Sequence, residues 1–506
     1  MNTKTIIKSC VVLLVTALTT VSCSDYLDVN DNPNSPASST PFQTLPVAQR
    51  DLTALNAREM TYLGNFISYN WATPSNWSAN QEFSRYTINS SFYSNIFETS
   101  YATIFKNLTY VQNYTDKTGV VDYSAYKAIA SVLKGFQYQY LVDLYGDVPY
   151  TEANLRSGNI TPKYDDAQTI YKAVIADLTS AAELALDLPD NAESPGKQDI
   201  INKGDMTKWA KFANSVKLRM LIRLSNTNQD AYIKAQIALI DANGAGYITA
   251  DVATQPGYSD NADKQNPFYG YFRKPSTNAE QDRGDYTVAT DYVVNYLSGT
   301  NDPRLNRLYA GAKTGGAFKG APQTTTLPGV GFTSNDLAKI GPGLIVPTTG
   351  MTAAQTIMSM PEILLLQAEA IARGYIAGGD AAAKTKYEQA ITASFTRLGV
   401  PTAATAAVTY YSQALPNVAW PTTGNLSAKV QAIITQKWVA LNGTSSIELW
   451  IEKTRTGFPA GLPQPAEGGG IRPVRLLYPG SENSRNSLNV PKQTAQTAFT
   501  SNPFWK

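Results

Sequence analysis

The chain has 506 residues, 43% apolar and 16% charged, the composition of a large folded body and not of a disordered or fibrous one. A formal charge of +2 offers no general electrostatic drive toward nucleic acid. The absence of histidine removes Ser–His–Asp and Cys–His catalysis and every His-ligated metal site.

The first segment, MNTKTIIKSCVVLLVTALTTVSC, has the three parts of an export signal. Lys4 and Lys8 form a positive start, and 10–18 (CVVLLVTAL) is an apolar run too short to span a bilayer as a helix. Small residues then lead directly to Cys23. A cysteine at that point suits a bacterial lipoprotein signal, in which the thiol takes diacylglycerol, although Thr20 stands where leucine is commonest. Residues 1–22 are expected to be the signal peptide and 23–41 a lipidated tether rich in Asn, Asp, Ser and Pro. Cys10 would leave with the signal, so Cys23 has no disulfide partner and core burial must supply the stability of the body, 42–506.

Along the body, helical periodicity runs from about 123 to 145, with Ile129, Val132, Leu133, Phe136, Tyr140 and Leu144 on one face and Gly146 as the stop. A second helix is expected from Asp165 as N-cap, with Ile170, Val174, Leu178, Ala181 and Leu184 as its stripe. A third starts near Asp205 and carries Trp209, Phe212, Ala213, Val216, Met220 and Leu224, with Lys217, Arg219 and Arg223 read as part of a solvated basic face. A shorter helix spans about 229–242, and the pattern returns at 353–375, 382–398 and 427–442. Starts roughly forty residues apart suggest stacked helical hairpins of the tetratricopeptide kind. The helical scaffold is therefore placed at about 100–245 and 353–442. The stretches 245–350 and 456–506 are rich in Gly and Pro, without a sustained period. The fold class is mainly α: one large domain, a tetratricopeptide-like scaffold with long irregular loop insertions.

Several segments, taken in order, resemble the SusD/RagB family of outer-membrane nutrient-binding lipoproteins, and its SusD-like branch in particular. They are CSDYLDVNDNPNSP, LYGDVPYTEA at 144–153, PKYDDAQTIY at 162–171, NKGDMTKWAKFANSVKLRMLIRLS at 202–225, PEILLLQAEA at 361–370, ELWIEKTRTGFP at 448–459 and RPVRLLYPGSENSRNSLNV at 472–490. The resemblance implies a non-catalytic surface protein that captures an oligosaccharide or oligopeptide. It would face the cell exterior, held by its lipid in the outer membrane. It would act as the lid of a SusC-like, TonB-dependent barrel. The ligand sites would lie in loops outside the helical scaffold.

The quoted motifs read as scaffold: Asp147 as a cap, Tyr150 as packing, Arg455 as an internal salt bridge. Ligand contact is sought where aromatic and polar residues mix without period. In SYNWATPSNWSANQEFSRY, at 68–86, the candidates are Tyr69, Trp71, Asn76, Trp77 and Arg85. Aromatic planes cover the C–H face of a sugar, and amides or guanidinium meet its hydroxyls. The same tryptophans equally suit anchors that pin a loop to the helices. In NPFYGYFRKPSTN, at 266–278, the candidates are Tyr269 and Tyr271. Two alternatives stay open: a surface glycosidase using a carboxylate pair, and a structural surface lipoprotein without ligand. No cofactor is required by this reading. The Asp- and Asn-rich loops could hold a structural Ca²⁺, but no EF-hand spacing is present.

Overall fold

A computed structural model describes residues 39–506 apart from Ser276 and Gly424. Cys23, its lipidation and the signal segment lie outside the described residues. Helix begins at once, with α1 (Pro41–Leu55), a π-helical turn at Asn56–Met60 and α2 (Thr61–Ile67). Helix already takes in Pro41, the last residue assigned to the tether from the sequence, and the scaffold starts well before 100. The π-turn adds a residue to the helical repeat and breaks the apolar period by which a helix is recognised.

The scaffold continues through α3 (Lys106–Asn113), α4 (Ser124–Tyr145), α5 (Ala167–Leu186), α6 (Met206–Arg223) and α7 (Asp230–Ala242). Gly146 ends α4 at φ +78°, a conformation that favours glycine. The N-cap of α5 is Asp166, whose carboxylate accepts from Thr169 N–H, and not Asp165. Asp165 is committed elsewhere, accepting from the amides of Tyr150 and Thr151. Asp147 accepts from the amide of Ala167 and so helps seat the same helix. Asp205 caps α6 as expected.

The middle of the chain is less irregular than its composition suggests. It contains α8 (Asp291–Gly299) and four of six short strands, the other two lying before and just after it. The six are β1 (Trp71–Ala72), β2 (Val252–Thr254), β3 (Val288–Ala289), β4 (Tyr309–Ala310), β5 (Lys339–Ile340) and β6 (Gln355–Met358). Strands β2 and β6 pair antiparallel and close the base of the intervening insertion. The helix expected from 353 accordingly starts only at Met360, because the residues before it are taken up in β6. The other four strands form an antiparallel sheet in the order β1-β3-β5-β4, with Trp71 opposite Ala289 and Val288 opposite Lys339. This sheet lays the insertion over the segment that follows α2.

The second half of the scaffold is α9 (Met360–Ala372), α10 (Gly379–Arg397), α11 (Ala403–Tyr411), α12 (Leu426–Ala440) and α13 (Ile447–Thr456). The start of α13 meets the first half: a Cβ on Gly64 of α2 would lie 2.2 Å from the Ser446 carbonyl carbon, so only glycine allows that approach. Among the described residues, no helix is long and apolar enough to cross a membrane.

The basic face of α6 is solvated only at its start, where Lys208 is exposed. Lys217, Arg219 and Arg223 are buried. Arg223 reaches Glu448 at 2.6 Å, Glu452 at 2.8 Å and Asp143 at 3.3 Å. Arg219 meets Glu362 at 3.1 Å, and Lys437 meets Glu452 at 3.1 Å. Arg455 is an internal ion pair, bidentate to Glu369 with both contacts at 2.8 Å. Trp505 closes the cluster by donating its indole N–H to Asp143. The acids come from α4, α9 and α13, which is why α6 can bury cations that its own sequence leaves unpaired. Burial pushes the Asp143 carboxyl up to about 6 against the pull of Arg223. For Glu448 burial acts in the same direction, but Arg223, Arg219 and Lys437 outweigh it and hold the carboxyl down at about 2.

Candidate functional site

The two aromatic segments singled out in the sequence do meet, but largely in the core. Trp71 is fully buried, packed 5.6 Å from Tyr62 and 5.8 Å from Phe272. Tyr69 is buried too, and its hydroxyl accepts from the amide of Gln323. Tyr269 is buried with its hydroxyl 2.5 Å from Asn278. These three residues offer no surface to a ligand. Pairing of β1 with β3 turns Trp71 inward, an outcome decided by residues more than two hundred positions away.

Beyond β1 the chain emerges, and Trp77 stands half-exposed. Its indole N–H donates to Asp285 at 2.7 Å, and its ring meets Tyr286 edge-on at 5.4 Å. Arg283 lays its guanidinium over the Tyr271 ring, 3.7 Å from the centroid. The Tyr271 hydroxyl donates to Glu59 at 3.1 Å. Burial, then the charge of Glu59, raises the Tyr271 hydroxyl above its usual range, so it is a neutral donor. Trp77, Tyr286, Arg283 and Tyr271 thus form a half-exposed strip along one edge of the small sheet, with Glu59 at its end. A shallow recess of about 110 Å³ opens beside Trp77, walled by Thr73, Gln81, Thr324 and Thr325.

The strip is held from behind. Asn76 accepts from the Ser334 amide at 2.8 Å and ties the loop after β1 to the loop before β5. Asn76 is therefore a brace. Asp285 takes Lys339 at 2.5 Å and the Ser334 hydroxyl at 3.0 Å, and Lys339 also meets Glu280 at 2.8 Å. Burial disfavours ionisation of both acids. The hydrogen bonds and charge of Lys339 outweigh it and hold both carboxyls below the usual range. Arg85 stands exposed on the short helix Gln81–Arg85 and donates to Gln81 at 2.8 Å, and no described contact joins it to the strip. Of the expected residues, the structure leaves Trp77 and Tyr271 available, with Asn76 in support. Arg283 and Tyr286 were missed, although DRGDY has the same aromatic-and-charged mixture that marked the other segments.

Residues 33–479 match the family named SusD-like and described as starch-binding, associating with the outer membrane. This chain belongs to the SusD-like family. Solved SusD-like folds agree over nearly the whole body. A chitin-binding protein shares 25% identity at a TM-score of 0.69, covering 89% of this chain and 95% of its own. A chitin-binding SusD homolog from Flavobacterium johnsoniae shares 21% at a TM-score of 0.71, covering 92% and 97%. A SusD homolog from Bacteroides fragilis shares 22% at 0.70, covering 92% and 99%. None of the curated proteins matches the chain. The strip lies outside the main helices, in the insertion and the loop after β1, and within the residues that the family matches.

Proposed function

We propose that this SusD-like chain is a surface lipoprotein, anchored in the outer membrane through Cys23, that captures an oligosaccharide on the Trp77–Tyr271 strip. It then acts as the lid of a SusC-like, TonB-dependent barrel and passes the glycan inward. The observation that carries the glycan reading is the strip itself. Its half-exposed rings can cover the C–H faces of successive sugars, while Arg283 and the threonines of the recess meet hydroxyls. The family's description and the chitin-binding neighbours support the same ligand class.

A glycosidase is poorly supported. Of the acids beside the strip, Glu280 and Asp285 are both paired with Lys339 and Glu59 accepts from the Tyr271 hydroxyl, so each is engaged in holding the strip together. The test is titration of the full chain with β-1,4-linked N-acetylglucosamine hexamer and α-1,4-linked glucose hexamer. Trp77→Ala should weaken binding at least tenfold, as loss of a central aromatic anchor does. Unchanged affinity in that variant overturns the strip. Recovery of no barrel with the lipoprotein from solubilised outer membrane overturns the lid.

A further inference from the structure

The largest cavity described in the protein is not at the strip. It holds about 1070 Å³ and lies between α3, the loop after it and the loop at 149–162. None of the residues that line it belongs to the strip or to the recess beside Trp77.

The lining has a definite chemistry. Tyr101, Tyr110 and Tyr114 are half-exposed along one wall. The rings of Tyr110 and Tyr114 are 5.8 Å apart, and Tyr114 is braced edge-on by Tyr123 at 5.0 Å. Asn113, Asn154 and Asn159 supply amides around them. The charges balance: Lys106 and Lys117 against Asp116 and Glu482. Exposed Leu155 and Ile160 extend the rim.

These features discriminate among ligands. A peptide captured by strand addition needs an unpaired strand edge. The 149–162 loop contains no strand, and its amides turn back on themselves, Ala153 to Tyr150 and Gly158 to Leu155. A partner helix needs a continuous apolar groove, and here amide and charged side chains interrupt the floor. An acidic or basic ligand would meet as much repulsion as attraction. A neutral ligand with apolar faces and hydroxyl edges fits tyrosine planes interspersed with amides, and the volume is at the upper end for a ligand pocket.

We infer that this cavity is a second, separate site for a neutral oligosaccharide, with Tyr110 and Tyr114 as its stacking wall. The inference rests on the reading that the chain binds glycan, but not on the strip. It gives one lid two grips on a polymeric nutrient, and a glycan that engages both gains avidity without any new contact.

The test titrates the full chain against a panel of neutral hexasaccharides that includes the N-acetylglucosamine and glucose hexamers. Two binding events are expected. The double variant Trp77→Ala/Tyr286→Ala should retain one, and adding Tyr114→Ala should weaken that one at least tenfold. Asn113→Ala, at an exposed position, provides a second variant whose folding is not in question, and it should weaken the same event severalfold. If Trp77→Ala/Tyr286→Ala removes all binding, the cavity proposal fails and the strip stands. If the unaltered chain shows a single binding event that the double variant leaves unchanged and Tyr114→Ala removes, the strip fails and the cavity stands. If Tyr114→Ala and Asn113→Ala both leave binding intact, the cavity is overturned. If no member of the panel binds, both are overturned.

Discussion

The buried ion cluster permits a quantitative prediction. Arg223→Met replaces a guanidinium that touches Asp143, Glu448 and Glu452 with a side chain of similar length and no charge. The remaining cations of the cluster, Arg219, Lys437 and Arg455, are already engaged. Removing one member of a buried ionic set costs about 3–5 kcal/mol, because partners are left uncompensated. For a body of roughly 470 ordered residues the unfolding entropy is about 1 kcal/mol per degree, so the melting temperature should fall by about 3–5 °C. The pH dependence has a defined sign. The Asp143 carboxyl, at about 6, is raised above its unfolded value, so what it contributes is present below about 4 and lost as pH rises through 6. Without Arg223 it rises further and the loss deepens. Glu448, at about 2, is depressed, so its contribution is present above about 4 and lost on acidification. Without Arg223, its first counter-charge, that contribution shrinks. Both effects make the variant's deficit largest near pH 8 and smaller near pH 4. Urea unfolding followed by circular dichroism across that range measures it. A deficit under about 1 kcal/mol at neutral pH, or one that grows on acidification, refutes the account of the cluster.

Trp71→Ala should cost about 3–5 kcal/mol of stability, since a fully buried indole leaves a cavity among Tyr62, Phe66 and Phe272. Its glycan affinity, titrated well below the melting point, should change less than threefold; a tenfold loss at unchanged stability would make Trp71 a ligand platform after all. Gly64→Ala should lower stability by about 2–3 kcal/mol or more in a melting assay, because the added carbon meets the Ser446 backbone and not a side chain that can move. Trp77→Ala should do the reverse of Trp71→Ala, weakening glycan binding while costing the 2.7 Å hydrogen bond to Asp285 and the edge-on contact with Tyr286, together about 2–4 kcal/mol.

What could be read from the chain depended on how locally each feature is determined. The stripe Trp209, Phe212, Ala213, Val216, Met220 repeats without interruption, and α6 lies where that repeat puts it. Residues 41–67 hide the same kind of helix behind a π-turn, which shifts the stripe by one residue. The fate of Arg219 and Arg223 was illegible because charge on a helix face says nothing about acids contributed by distant helices. The site divides in the same way. Trp71 and Trp77 lie six residues apart in one segment of mixed composition. Only the pairing of β1 with a strand near 288 decides that the first is core and the second is half-exposed. The legible signal was aromatic residues mixed with polar ones in an aperiodic segment, and it found the neighbourhood of the strip. It could not separate the residues that face out from those that hold the loop in place.

The contact between α2 and the segment before α13 also bears on how the protein is made. Ser68 accepts the indole N–H of Trp438, 370 residues further along, and Arg472 reaches the carbonyl of Ile67. The first helix can settle early on α3 and α4, but this part of the packing of α2 forms only once most of the polypeptide has been synthesised. Long closures of this kind slow folding and leave early segments waiting.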